Sequence, residues 1–286
     1  MKSFVTGAAV ALGLLLAPIA GPTPATATPY EPTAPQPTAP HQPTAEARQH
    51  GIAKAGDAYL GWKQPKTATQ VTTAPDTFAP AASVEGIDVS SHQGNVNWAT
   101  YWSQGKRFAY SKATEGNYYS NPYFAQQYNG SYNVGMVRGA YHFATPNDSS
   151  GANQANYFVD RGGAWSRDGK TLPGALDIEY NPYGATCYGL SQAAMVNWIR
   201  DFLNTYKSRT GRDAPIYTNL NWWSTCTGNS TAFNQTNPLW VAKYASTPGA
   251  LPGGWGFQTF WQWSSSPVDQ DRFNGDQSRL VALANG

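Results

Sequence analysis

The chain has 286 residues, with 19 Lys+Arg, 17 Asp+Glu, a formal net charge of +2, 11 Trp, 17 Tyr and two Cys. Charged residues make up 13% and aromatics 14%, a profile that excludes a coiled coil and a wholly disordered chain. A near-neutral chain gives no electrostatic reason to bind nucleic acid. Two cysteines build neither a small disulfide scaffold nor a zinc cluster.

Residues 1–27 read as a signal peptide. Met1-Lys2 supplies a positive start, Phe4 to Ala20 is apolar but broken by Gly7, Gly13 and Pro18, and Ala25-Thr26-Ala27 offers a small-residue cleavage site. The apolar run is shorter than the roughly 20 residues a membrane span needs. Export and an oxidising compartment follow, with no membrane attachment once the signal is removed. Residues 28–83 are rich in Pro, Thr and Ala and read as a linker or pro-segment, largely disordered, because so little apolar side chain cannot offset the entropy of ordering. A small cluster at Tyr59, Leu60 and Trp62 leaves room for a short docked helix around Ile52–Trp62.

The pattern changes at Val84. Residues 84–286 carry 14 Lys+Arg and 13 Asp+Glu, and apolar strand-like runs alternate with helical ones. Strands are expected at Gly86–Ser90, Arg107–Ser111, Val137–Phe143, Gly174–Tyr180, Ala214–Thr218, Leu239–Tyr244 and Phe257–Trp263. Helices are expected near Asn97–Gly105, Pro122–Asn133 and Ala152–Asp160, with a last one after Asp276. The clearest runs from about Ser191 to Arg209, where Met195, Trp198, Ile199, Phe202, Leu203 and Tyr206 recur at three- and four-residue steps behind a capping Ser191. This alternation indicates an α/β fold with a largely parallel sheet, a compact and incomplete relative of the eight-stranded TIM barrel. A doubly wound open sheet is the alternative, although no G-x-G-x-x-G follows a strand.

Leu176-Asp177-Ile178-Glu179-Tyr180 is the most informative segment. In a strand Asp177 and Glu179 point to one side, and two carboxylates so close cannot both ionise freely in a poorly solvated pocket, so one can hold a proton and act as a general acid. Asp88, set between Ile87 and Val89, is a second candidate, since a charge rarely sits in such a run without a partner. Asp269 is a third, whereas Asp271 is expected to cap or turn the chain. Closure of a barrel would bring Asp88, Asp177, Glu179 and Asp269 to one mouth. Tyr110, Tyr141, Tyr180, Tyr217, Trp240, Tyr244, Trp261 and Trp263 lie in or at the ends of predicted strands, and a fraction of them can offer flat faces and hydroxyls to sugars. Alternation turns Gln262 opposite to its two tryptophan neighbours, as a candidate polar contact.

No H-E-x-x-H, C-x-x-C or G-x-S-x-G pattern occurs, so no metal or cofactor is expected and a serine triad is unsupported. In an exported protein Cys187 and Cys226 are expected to pair and close a loop of about 39 residues. Acids at strand ends, rings around them and no cofactor motif point to glycoside hydrolysis.

Gly86-Ile87-Asp88-Val89-Ser90-Ser91-His92-Gln93-Gly94 followed by Val96-Asn97-Trp98 resembles the opening motif of glycoside hydrolase family 25, the Chalaropsis-type lysozymes. Ser111–Gly116, Arg138–Phe143, Leu176–Glu179, Phe260–Trp263 and Val268-Asp269 match further family segments in order, over essentially all of residues 84–286. The resemblance extends to the positions of Cys187 and Cys226. It implies a flattened barrel of eight strands and five helices, (β/α)5(β)3, and cleavage of the β-1,4 bond between N-acetylmuramic acid and N-acetylglucosamine in peptidoglycan. By the same resemblance Glu179 is the general acid, Asp88, Asp177 and Asp269 are further active-site acids, and Tyr141 contacts substrate. Either the substrate's N-acetyl group, oriented by Asp177, or an enzyme carboxylate serves as nucleophile. Tyr110, Tyr180, Tyr217, Trp240 and Gln262 complete the expected substrate-binding set, the partner is a peptidoglycan glycan strand, and a monomer suits work on a polymer. A non-catalytic wall-binding module on the same fold and a glycosidase for chitin are the competing expectations.

Overall fold

The computed structural model describes Met1, residues 41–65 and residues 83–286. The apolar leader and most of the Pro/Thr-rich stretch, on which the export and linker expectations rest, lie outside the described residues. From residue 41 onward the described chain belongs to one folded unit.

Nine strands follow in chain order: β1 (Val84–Val89), β2 (Phe108–Glu115), β3 (Tyr119–Ser120), β4 (Val137–Phe143), β5 (Ala175–Asp177), β6 (Ile216–Thr218), β7 (Leu239–Ala242), β8 (Phe260–Ser264) and β9 (Gln270–Phe273). Pairing runs β1-β2-β4-β5-β6-β7-β8 in parallel, and β9 closes the ring by pairing antiparallel with both β8 and β1. The two-residue β3 hangs on β2 outside the ring. Closure leaves the eight ring strands without an open edge.

Five helices make the crossovers: α2 (Trp98–Ser103), α3 (Phe124–Asn133), α4 (Gly151–Phe158), α5 (Gln192–Thr210) and α6 (Leu220–Thr227). Strands β7, β8 and β9 follow without helices between them, and α7 (Gln277–Asn285) ends the chain. The architecture is therefore the expected (β/α)5(β)3 barrel and not an open doubly wound sheet. The short α1 (Ala45–Gln49) lies upstream of the barrel.

Side-chain alternation sorts the strands into two layers. Inside the ring, Phe108, Tyr110, Val137, Tyr141, Ala175, Tyr217, Trp240, Phe260 and Phe273 form one buried cluster. Its packing demands small partners: a Cβ on Gly139 would come within 2.2 Å of the Tyr110 ring. Outside, Leu176, Ile178, Ile216, Leu239, Val241, Trp261 and Trp263 pack against the buried stripe of α5, which is Met195, Trp198, Ile199, Phe202, Leu203 and Tyr206 as the periodicity indicated. Ser191 caps α5 by accepting from the Ala194 amide, and Gly211 ends it with φ of 75°.

Among the barrel elements, departures from the sequence expectation at β5, α6 and β9 bear on the site. The β5 ladder stops at Asp177, so Glu179 lies just beyond the strand. Helix α6, capped by Asn219, was not anticipated, because its eight residues are too few to establish a period. Strand β9 places Asp271 inside the ring, fully buried, where a turn was expected.

Cys187 and Cys226 form a disulfide with Cα atoms 5.3 Å apart, tying the segment after β5 to α6. The chain-entropy model gives about 4 kcal/mol for such a loop. A Cys187→Ala/Cys226→Ala double variant is expected to lose roughly 3–4 kcal/mol in urea unfolding with the slope little changed; a loss under about 1 kcal/mol would refute that role.

Candidate active site

The C-terminal ends of the parallel strands form the mouth where functional groups gather in such barrels. Asp88 is the penultimate residue of β1 and Asp177 the last of β5, three strands apart around the ring through β2 and β4. Gln262 on β8 bridges the opening: its amide donates to Asp88 Oδ2 at 2.8 Å, and its Oε1 accepts from the hydroxyls of Tyr217 at 2.6 Å and Tyr244 at 3.2 Å. Tyr217 is in turn the register partner of Asp177. The turning of Gln262 away from Trp261 and Trp263 thus directs its amide to Asp88 and the two tyrosines.

Asp88, Asp177 and Glu179 are all at most 1% exposed. Burial pushes the Asp88 carboxyl up to about 7, against hydrogen bonds from Gln262 and Asp271 that pull it down. Asp177 is raised well above the usual carboxylate range, first by burial and then by the charge of Glu179, with Lys112 opposing. Burial likewise raises Glu179, with the Gly61 amide opposing and Asp88 adding to the rise. Neither oxygen of Asp177 and only one of Glu179 has a hydrogen-bond partner among the described residues. Two carboxyls of raised pKa with unpartnered oxygens form a pair suited to proton donation and to accepting from a ligand.

Asp271 extends this group, and sequence analysis missed it. It is hydrogen bonded to Asp88, accepts from Trp240 Nε1 at 3.0 Å, and is raised by burial and by the charge of Asp88. The only sequence signal was alternation in Gln270-Asp271-Arg272-Phe273, which four polar-rich residues do not make legible. Asp269 sits at the rim, 7% exposed, with its backbone carbonyl accepting from the Asp88 amide at 3.4 Å. Its charge reaches Tyr59, Tyr141 and Tyr244. The four acids of the sequence analysis therefore meet at one mouth.

The aromatic candidates divide. Tyr141 and Tyr217 face the acids, with Asp88 and Asp177 among the charges acting on both hydroxyls. Tyr180 lies at the rim, half-buried, with its hydroxyl 3.4 Å from Asn219 Oδ1. Tyr110 and Trp240 belong to the barrel interior instead. The Tyr110 hydroxyl donates to the Pro173 carbonyl at 3.0 Å, and its ring packs against Trp240 and Phe260. Tyr110 turns its hydroxyl away from the acids, whereas Trp240 meets them through Asp271, because alternation fixes which face a residue takes but not its depth. Trp261 and Trp263 belong to the outer layer.

A further group lies beside the acids. Lys112 and Glu115 form a salt bridge with both side chains 0% exposed, and the Tyr118 hydroxyl donates to Glu115 at 2.8 Å. Lys112 stands opposite Tyr141 in the β2–β4 register, which places its charge inside the mouth. Among the described residues no three His, Cys, Asp or Glu side chains are grouped so as to hold a metal ion, and no helix is long and apolar enough to cross a membrane.

The mouth is covered by residues 41–65. Contrary to the expectation of disorder, this stretch is packed, with Ala47, Ile52, Ala58, Leu60 and Trp62 each at most 2% exposed. It docks with a helix only at Ala45–Gln49, since Gly56 and Gly61 take positive φ of 91° and 75° and break any helix through Ile52–Trp62. Glu179 is thus closed off in part by this segment, through the Gly61 amide.

The sequence profile of Glycosyl hydrolases family 25 matches residues 87–272. Lysozyme M1 of Streptomyces globisporus is 48% identical over 242 residues, covering 80% of this chain and 82% of that protein. The N,O-diacetylmuramidase of Chalaropsis is 49% identical over 211 residues, 71% of this chain and 100% of its own length. The structure of a muramidase from Acremonium alcalophilum aligns with a TM-score of 0.70 at 57% identity, covering 71% of this chain and 99% of that one.

The raised carboxyls fix the sign of a pH dependence. An acid whose folded-state value lies above its unfolded one costs stability as pH climbs from the ordinary range toward the raised value. For Asp88 that window runs from 3.8 to about 7, and Asp177, Glu179 and Asp271 act in the same direction. The full chain is expected to melt at a lower temperature at pH 7.5 than at pH 4.5, by calorimetry, and Asp88→Asn to shrink that difference. An Asp88→Asn profile parallel to the wild type would contradict the burial argument.

Proposed function

The chain belongs to glycosyl hydrolases family 25, and on that footing we propose that Glu179 is the general acid of a peptidoglycan hydrolase whose cleft is the barrel mouth. The enzyme is a muramidase, a lysozyme that hydrolyses the β-1,4 bond between N-acetylmuramic acid and N-acetylglucosamine. The observation that carries the assignment of residues is the gathering of Asp88, Asp177, Glu179 and Asp269 at one end of the barrel, with Asp177 feeling the charge of Glu179.

A protonated Glu179 gives its proton to the leaving glycosidic oxygen as the C1–O bond breaks, and the sugar acquires oxocarbenium character. Asp177, with both oxygens open to a donor, accepts the N–H of the substrate's 2-acetamido group and turns its carbonyl oxygen onto C1. Water then opens that intermediate, with Glu179 taking the water's proton back. Asp88 is held in place by Gln262 and Asp271, and its raised value limits the negative charge that the mouth carries before substrate arrives. Tyr141, Tyr217 and Tyr180 supply ring faces and hydroxyls to the glycan. Residues 1–27 act as an export signal, residues 84–286 are the catalytic domain, and the mature enzyme works outside the cell as a monomer.

Substitution Glu179→Gln is expected to lower kcat by about 10²–10⁴-fold with the fold intact, measured as reducing ends released from cell walls. Wild-type turnover should expose no new amino groups, and mass analysis of the digest should give muramic-acid reducing ends. Full activity of Glu179→Gln would remove the residue from the acid role. Chitin cleaved in preference to cell wall would overturn the substrate.

A further inference from the structure

Residues 41–65 fill the place a glycan would need, and they do so with fitted contacts. Leu60 enters the barrel mouth and joins the interior cluster that contains Tyr141, Tyr217 and Trp240. The Gly61 amide donates to Glu179 Oε1 at 2.6 Å, and the Gly61 carbonyl lies 3.5 Å from the Tyr244 hydroxyl. Lys112 donates to the carbonyls of Gly56 and Ala58, while the Gly56 amide donates to Glu115 Oε1 at 3.0 Å. At the rim His92 Nε2 lies 2.6 Å from the Asp57 carbonyl, and Trp62 Nε1 donates to the Tyr180 carbonyl at 2.9 Å.

The two glycines match the groove sterically. A Cβ on Gly61 would come within 2.5 Å of Gln262 Oε1 and the Tyr244 hydroxyl, and within 2.8 Å of the Tyr217 hydroxyl. A Cβ on Gly56 would come within 2.3 Å of the Tyr119 ring. Both residues also hold a backbone conformation that side chains disfavour. A chance surface contact would not require a bare backbone at the two places where the segment passes closest to the acids. The match with Lysozyme M1 covers 80% of this chain, more than residues 84–286 make up, so the similarity reaches back ahead of the barrel.

We propose that residues 41–65 are a built-in peptide inhibitor of the glycan cleft, so that the chain is latent until this segment leaves the mouth. The proposal rests on the muramidase reading above, since the inhibitor occupies the cleft that reading assigns to glycan. Its ligand class is a backbone-presenting turn: amide and carbonyl groups of Gly56, Ala58 and Gly61 take the hydrogen bonds that sugar hydroxyls, ring oxygens and acetamido groups would otherwise share. Glu179 itself is engaged by an amide donor and has no glycosidic oxygen to protonate. If the docked form outnumbers the open one by about 100 to 1, activity falls to about 1% of the open enzyme's.

The test uses the full chain after the export signal, with a site-specific protease sequence inserted between Gln70 and Val71. The Acremonium alcalophilum muramidase matches 71% of this chain with 99% of its own, so the barrel separated after cutting is a sound comparator. Release of reducing ends from cell walls is expected to rise at least about tenfold on cutting and separation. Substituting Gly61→Ala is expected to bring the uncut chain most of the way to that level. A synthetic peptide of residues 41–65 should inhibit the separated barrel competitively, raising KM with kcat unchanged, and its Gly61→Ala form should bind at least about tenfold more weakly by titration calorimetry.

Equal activity before and after cutting, or no binding of the peptide to an active barrel, would overturn the proposal. A barrel that is inactive when separated yet binds the peptide would instead sink the muramidase reading and leave the occupied cleft standing. A Gly61→Ala chain that stays latent and needs cutting as wild type does would also count against the inhibitor, because the fit at Gly61 is its central contact.

Discussion

Everything at the functional end of this protein depends on placing several carboxyl groups inside a closed barrel. Burial disfavours the ionised forms of Asp88, Asp177, Glu179 and Asp271 where they stand. The fold tolerates part of this because two of the acids are cross-linked: Asp271 to Asp88, Asp88 to Gln262, Gln262 to Tyr217. That chain of contacts crosses the ring from β1 through β8 to β6, and it turns a collection of repelling groups into a single framework. The same suppression of charge that makes the arrangement costly makes a carboxylic acid available as a proton donor.

The covering segment changes how that cost is met. In the closed state Glu179, and the buried Lys112–Glu115 pair beside it, are satisfied in part by backbone groups of Gly56, Ala58 and Gly61. Backbone amides and carbonyls present donors and acceptors in both senses, as a sugar does, and they need no particular side chains to do so. Specificity then comes from shape: glycines where the groove is narrow, Leu60 where it is deep, and Trp62 over the rim where Tyr180 offers a carbonyl.

Much of the fold was legible in the chain because alternation and helical period are local. The α5 stripe, strand β4, the shared face of Asp177 and Glu179, and the inward turn of Gln262 all follow from neighbouring residues. Helix α6 and strand β9 escaped because eight and four residues carry too little period, and β9 turns a carboxylate inward at a position where local chemistry favours a turn. Tyr110 and Trp240 show a different limit, since face follows from sequence but depth along a barrel axis follows from closure. Residues 41–65 escaped for a third reason. Composition weighs what a segment can bury by itself, whereas Leu60 and Trp62 are buried by residues more than a hundred positions away, such as Tyr217 and Tyr180.

Ring closure by the last strand makes the barrel sensitive to truncation. Because β9 supplies both the seam between β8 and β1 and the Asp271 partner of Asp88, a nascent chain that stops short of Gln270 has two raw sheet margins facing each other. Such margins invite pairing with other chains. A polypeptide cut before Gln270 therefore holds an adhesive sheet with half an acid framework, because one strand completes both the barrel and the acid group.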